Sequence, residues 1–294
     1  MAIDFGIDDA LEEISERVRE GACILFLGSA IHARPPAGSA FAYPHAHRPA
    51  LAGELTEALA AHCRRSPHFG ADDEGNLQRV SLFYELGRSR SLLVEAIEES
   101  VQRDKQPSPM LQALAELDFP IVLTTNYDDL YEQALRRAGK DPRIVVYSRR
   151  RGPRITTEDL TGSRPVIFKL HGDMSQPESL VITENDYIDF VGQMTEKGAR
   201  HPIPLPLKSR LMRSATLFLG YSLADYNLRL LFHTLRWRMD AACYPPMYSV
   251  DRDPDVLTRN VWEERRGYLR FVVEDVWTFV PDLYRQVLDR ELLP

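Results

Sequence analysis

Pro120-Ile121-Val122-Leu123-Thr124-Thr125-Asn126-Tyr127-Asp128-Asp129 decides the fold of this chain. An apolar run without alternation passes abruptly into hydroxyl, amide and carboxylate groups. Unbroken apolarity suits a strand covered on both faces, and the polar burst marks where that strand stops. The same grammar recurs at Pro165–Leu170 (PVIFKL), which runs into His171-Gly172-Asp173. In open parallel sheets the carboxyl ends of the strands are where ligands bind. An amide, acids and a histidine at two such ends therefore suggest a nucleotide site that handles a ribose.

Further runs of strand length lie on either side: Ala22–Leu27 (ACILFL), Ile144–Tyr147 (IVVY), Ala215–Leu219 (ATLFL), Met247–Val250 (MYSV) and Leu269–Val273 (LRFVV). Helical stretches separate several of them, so the pattern predicts a Rossmann-like α/β fold, a doubly wound parallel sheet. One helix follows Asp129, which with Glu132 reads as a capping box. Leu130, Ala134 and Leu135 give it an apolar face, Arg136 and Arg137 suit its carboxyl end, and Gly139 and Pro142 stop it. A second is expected from Ala224 to Met239, with Leu228, Leu231, Phe232, Leu235 and Met239 as a core stripe. Helical segments near Pro49–Cys63, Leu77–Gly87, Leu92–Val101 and Met110–Leu117 fill the gap before Pro120. Residues from 33 to about 108 are thus an inserted helical module of one domain spanning 1–294. A second insertion, about 175–206, carries Thr183-Glu184-Asn185-Asp186-Tyr187 and the prolines Pro202, Pro204 and Pro206. Its place after His171 suits a lid.

Composition narrows the class. The chain has 294 residues, 44% of them apolar, enough for a sizeable core. Cys23, Cys63 and Cys243 are scattered, so neither a disulfide framework nor a cysteine zinc site is expected, and a reducing cytoplasm is the natural home. The first residues lack the pattern of a signal peptide. Ala22–Leu27 is too short to span a bilayer, so no membrane association is expected. A formal charge of −7 argues against direct nucleic-acid binding. The basic cluster Arg149-Arg150-Arg151 with Arg154 reads as a solvated loop.

The remaining strand ends are each open to two readings. Gly28-Ser29-Ala30 follows the first run, where a glycine lets backbone amides approach phosphates, or is an ordinary turn. The chain has no Gly-x-Gly-x-x-Gly and no Walker loop. Asn126 before Asp128 is either a cap or a ligand contact. His171 is either structural or a base, with Gly172 behind it allowing close ligand approach. Gly220-Tyr221-Ser222-Leu223-Ala224-Asp225 is a small-residue turn into a helix. Asp251 ends the Met247–Val250 run and offers a carboxylate to ribose hydroxyls. Strand ends of one sheet that all bear such groups together favour a nucleotide.

These stretches resemble a known family. Leu123-Thr124-Thr125-Asn126-Tyr127-Asp128 resembles the Thr-Gln-Asn-x-Asp segment of sirtuins, Leu170-His171-Gly172 their His-Gly, and Gly220-Tyr221-Ser222-Leu223 their Gly-Thr-Ser-Leu. The combination is most similar to bacterial sirtuin-like domains of anti-phage defence, which hydrolyse NAD+, and it covers roughly Gly21 to Val276. The resemblance implies that Asn126 holds the nicotinamide ribose and the attacking water. Asp128 would shape the nicotinamide pocket, and His171 would act as general base on a ribose hydroxyl. Gly28, Gly220 and Ser222 would line the pyrophosphate and Asp251 the adenosine ribose, with Ser29, Thr125, Tyr221 and Asp225 completing the NAD+-binding set. Sirtuins usually show Gly-Ala-Gly-x-Ser after the first strand, whereas this chain has Gly28-Ser29-Ala30-Ile31-His32. The paired cysteines of the sirtuin zinc module are missing, so no zinc is expected and protein deacylation is the weaker expectation. The implied activity is an NAD+ glycohydrolase that yields nicotinamide and ADP-ribose and depletes NAD+ when activated. The main alternative is a non-catalytic module that binds NAD+ or ADP-ribose. Such a hydrolase needs restraint, so regulation by assembly is expected: a homo-oligomer, or a partner such as a translocase ATPase or a short Argonaute protein.

Overall fold

A computed structural model describes residues 7–148, 154–160, 164–194, 203–221, 223, 245–264 and 269–294. Each expected apolar run forms a strand: β1 (Cys23–Leu27), β2 (Ile121–Thr124), β3 (Arg143–Val146), β4 (Val166–Lys169), β5 (Ala215–Leu219), β6 (Met247–Val250) and β7 (Leu269–Val272). They make one sheet in the order β3-β4-β2-β1-β5-β6-β7, every neighbouring pair parallel. β1 lies at the centre, with Leu25 in register with Val122 on one side and with Leu217 on the other.

Side chains alternate across the pleat, and both faces are covered, which is why the runs are apolar throughout. Cys23, Leu25 and Leu27 face one layer, made by α1 (Ile7–Arg19), α5 (Pro109–Glu116), α6 (Leu130–Arg137) and α10 (Val276–Leu288). Ile24 and Phe26 face the other, with α7 (Glu184–Met194) and α8 (Leu205–Leu211). A third core joins α2 (Ala52–Cys63), α3 (Leu77–Gly87) and α4 (Arg90–Val101) to Leu180 and Ile182. The remaining described helix, α9 (Val256–Glu264), precedes β7. The helix expected over 224–239 lies outside the described residues, as do Arg149, Arg150, Arg151 and Cys243.

One local expectation is corrected. Asp129 makes no cap at the start of α6. The amide of Leu130 donates instead to Asp128 Oδ1 (3.1 Å), while Asp129 is engaged by Gln102 and Gln133. Glu132 is buried beside Lys169, so no capping box forms. Among the described residues no helix is long and apolar enough to cross a membrane.

Candidate functional site

The sheet order places the site. After β1 the chain fills one side of the sheet, whose strands lie outward as β2, β4 and β3, and then crosses to β5 on the other side of β1. Ligand crevices of open α/β sheets lie at such a reversal, beyond the carboxyl ends of the strands. A cavity of about 220 Å³ lies there. Gly28, Ser29 and His32 after β1, Thr125, Asn126 and Asp128 after β2, His171 after β4, and Gly220 and Tyr221 after β5 form its floor. Leu55, Leu77 and Val101 of the helical module and Tyr187 of α7 wall it with apolar and aromatic surface.

The loop after β2 is held from several sides. Thr124 Oγ1 donates to the carbonyl of Leu27 (2.8 Å) and accepts from the amide of Asn126 (3.0 Å), tying the loop to β1. The Asn126 carboxamide lies 3.5 Å from His32 Nε2, and Asp128 Oδ2 lies 3.4 Å from the same nitrogen. Burial would raise the Asp128 carboxyl, but His32, Lys169 and the Leu130 amide outweigh it and hold it below the ordinary carboxylate range.

Lys169, the last residue of β4, is completely buried beneath this loop. Its ammonium meets Asp173 Oδ2 at 2.5 Å and Glu132 Oε1 at 3.2 Å, and donates to the carbonyls of Asp128 (2.5 Å) and Tyr127 (3.3 Å). Burial opposes its charge, yet Glu132, Asp173 and Asp128 together keep it above its usual value. Burial also pushes the Glu132 carboxyl up, against the pull of Lys169. Asp173 is held low despite burial by Lys169 and by Ser175, whose amide and hydroxyl both reach it. Lys169 thus clamps the backbone that presents Asn126 and Asp128.

His171 is buried, with Tyr187 and Phe190 edge-on at 5.1 and 5.4 Å between ring centres, and its Nδ1 is 3.4 Å from the Tyr187 hydroxyl. Gly172 does not open space for a ligand, contrary to the sequence reading. Its φ is +88°, and a Cβ there would sit 2.4 Å from the Ser179 carbonyl oxygen, so the protein's own backbone fills that space. The segment from 175 onward is tied to the helical module. Arg90 donates to Asp186 (2.7 Å), Glu85 (3.0 Å) and the Leu180 carbonyl (2.8 Å), and Asp186 also accepts from the amides of Ile182 and Thr183.

Gly28 and Gly220 interlock. A Cβ on Gly28 would lie 2.3 Å from the Gly220 oxygen, and one on Gly220, whose φ is +67°, would lie 2.1 Å from the Ile31 nitrogen. The amide of Ala30 donates to the Gly220 carbonyl (2.9 Å) and that of Ile31 to the Gly28 carbonyl (3.2 Å). Tyr221 donates its hydroxyl to Thr125 Oγ1 (2.8 Å), joining the β5 and β2 tips. Ser222 and Asp225 lie outside the described residues. Asp251 follows β6, one strand beyond β5, and accepts from the Asp253 amide (3.0 Å); it does not line the cavity.

Sequence reading missed three cavity or support residues: His32, Lys169 and the contact role of Tyr187. The available signal for His32 was a lone imidazole in an otherwise small and apolar turn. Among the described residues no group of three or more His, Cys, Asp or Glu side chains could hold a metal.

Comparison with known proteins follows the same residues. The family model of the SIR2-like domain matches residues 120–269, just over half of the chain, which contains the β2, β4 and β5 tips. The chain is 29% identical over 166 residues to the NAD(+) hydrolase ThsA of Acinetobacter baumannii (strain 532279), covering 56% of this chain and 32% of that protein. It is 28% identical over 169 residues to the NAD(+) hydrolase ThsA of Enterococcus faecium, covering 56% and 33%. It is 23% identical over 279 residues to Defense-associated sirtuin 2 of Bacillus subtilis, covering 91% and 24%. The chain therefore spans about a third or less of the length of these relatives. With half its length matched and its strand-end residues gathered at one cavity, the chain belongs to the SIR2-like domain family.

Proposed function

We propose that this chain is an NAD+ glycohydrolase that cleaves the bond between nicotinamide and the ribose anomeric carbon, releasing nicotinamide and ADP-ribose. The observation that carries the proposal is the convergence of Asn126, Asp128 and His171, from two separate strand ends, on one cavity at the switch point of the sheet. The names of the relatives from Acinetobacter baumannii and Enterococcus faecium support the same reaction. Nicotinamide leaves as a neutral molecule, and the transition state is oxocarbenium-like, as in glycoside hydrolysis. Asn126 places water against the open face of the ribose. His171 takes a proton from a ribose hydroxyl as positive charge develops at the neighbouring carbon, a role typically worth ~10²–10⁴-fold in rate. Asp128 shapes the end of the pocket that holds the departing base, and Gly28, Ser29, Thr125, Gly220 and Tyr221 line the rest of the dinucleotide. Ser222, Asp225 and Asp251 are proposed for its outer part.

One observation favours a second reading, a module that binds NAD+ or ADP-ribose without turnover. The Ala30 amide, which a phosphate loop would aim at the ligand, donates to Gly220. The cavity, at about 220 Å³, also falls below the ~300–1,000 Å³ usual for such ligands. Widening of the Gly28–His32 turn on binding reconciles hydrolysis with both facts. The natural setting is a cytoplasmic defence effector held inactive until assembly, as a homo-oligomer or with a partner such as a translocase ATPase or short Argonaute protein.

The test is nicotinamide release from NAD+ by the purified chain, alone and with any co-purifying partner. His171→Ala and Asn126→Ala are expected to lower turnover by ~10²-fold or more while the protein still folds. Near wild-type turnover in either variant would overturn the assignment. Tight binding of ADP-ribose with no release under any condition would select the binding module.

A further inference from the structure

His32 stands where the family's phosphate turn usually carries a serine, and its surroundings are unusual for a structural histidine. The ring lines the cavity yet is only 2% exposed. Its Nε2 faces the carboxylate of Asp128 at 3.4 Å and the carboxamide of Asn126 at 3.5 Å. Its Nδ1 is buried and has no hydrogen-bond partner among the described residues. A buried polar atom left unpaired costs ~1–3 kcal/mol, so folded proteins seldom leave one without a use.

The tautomer follows from the neighbours. Which imidazole nitrogen carries the proton is set by the hydrogen bond made at the other. The Asp128 carboxylate accepts and cannot donate, so Nε2 carries a proton, and in the neutral ring Nδ1 carries none. A half-turn of the Asn126 amide lets its oxygen share that same proton. Nδ1 is then a buried lone-pair acceptor on a ring that lines the cavity, oriented by a carboxylate at its other nitrogen.

We infer that His32 is a binding residue of this site, its Nδ1 accepting a hydrogen bond from an N–H or O–H donor of the bound nucleotide. Two donors of NAD+ fit this chemistry: the carboxamide NH2 of the nicotinamide and a hydroxyl of the adjoining ribose. This inference rests on the reading that the cavity takes NAD+. It goes further in making Asp128 a positioning residue for His32, and in making His32 a determinant of which end groups the site accepts. The serine that this position usually carries has a shorter, rotatable hydroxyl; the imidazole fixes an acceptor at one point in space.

Binding of NAD+ and of ADP-ribose, measured by calorimetry in a His171→Ala background that slows turnover, tests the inference. His32→Phe keeps a planar ring, slightly larger, and removes the acceptor, and is expected to weaken NAD+ binding about tenfold. Loss for NAD+ alone identifies the carboxamide as donor, because ADP-ribose lacks it. Equal loss for both ligands identifies a ribose hydroxyl. His32→Gln keeps an acceptor and is expected to recover part of the loss; a role in packing alone would be served better by Phe, with no change in affinity. Unchanged affinity for both ligands in His32→Phe overturns the inference while leaving the glycohydrolase reading intact. Absence of NAD+ binding before His32 is altered overturns both. Should His32→Phe fail to fold, ¹⁵N spectra of the His32-containing protein decide independently. Nδ1 is expected to be the unprotonated nitrogen and to shift on adding NAD+; an unprotonated Nε2, or an Nδ1 signal indifferent to ligand, overturns the inference.

Discussion

Lys169 shows how one residue can govern a site it never enters. Its ammonium is buried among Asp173, Glu132 and the carbonyls of Tyr127 and Asp128, so the loop bearing Asn126 rests on a charge that water does not reach. Lys169→Met would leave two carboxyls buried without their cation, a change that typically costs about 3–5 kcal/mol. Urea unfolding at pH 7 should show that loss; a variant as stable as the parent would mean that the cluster rearranges around the missing charge. Asn126 and His171 were legible in the sequence because strand-end position is encoded by the apolar run before each. Lys169 lies within such a run, one residue before its end, and the run does not show what it pairs with. Its partners come from other parts of the chain, and only the folded sheet brings them together. His32 was hidden for the same reason: its meaning depends on Asp128, nearly a hundred positions away.

The strands were the most legible elements, since a sheet covered on both faces requires continuous apolar runs, and all seven runs form strands. Helix α6 was located correctly but its start was misread, because Asp128 outcompeted Asp129 for the first amide and Lys169 drew Glu132 inward. Gly172 was misread because a glycine signals only that a Cβ is excluded, not what excludes it. Between α4 and α7 the key connection is Arg90, which holds Asp186 and the Leu180 carbonyl and so fixes the segment that delivers Tyr187 to the cavity. Its side chain is about a third exposed, so solvent screening tempers its contribution. Arg90→Met is expected to speed hydrogen exchange at the Ile182 and Thr183 amides, both bonded to Asp186, by about tenfold with little change at β1. Equal acceleration in β1 would show a global rather than a local loosening.

For the molecule as a whole, buried carboxylates set the response to acid. Asp128, Asp173 and Asp186 are all held below the ordinary range despite burial, by His32, Lys169, and the Ile182 and Thr183 amides with Arg90 respectively. A carboxyl that is more acidic folded than unfolded stabilises the fold above the unfolded value of about 3.9, and that stability is lost as pH falls through the folded value. Glu132, pushed up, works in the opposite sense: its cost begins above about pH 4.3 and disappears on acidification. Three groups against one predict that unfolding free energy declines below about pH 4, with a partial offset between neutrality and that point. Denaturant titrations from pH 7 to pH 2 check this; a profile flat through pH 3 would contradict it.

The interlock of Gly28 with Gly220 has a consequence for how the protein is made. β1 leaves the ribosome well before its neighbour β5 and before the Gly220 turn that locks against Gly28. Until then the central strand has one flank open, and non-local pairings of this kind form late. A nascent chain short of residue 220 therefore lacks one wall of the cavity. The cavity proposed to take the dinucleotide stays incomplete until the Gly220 turn has been made.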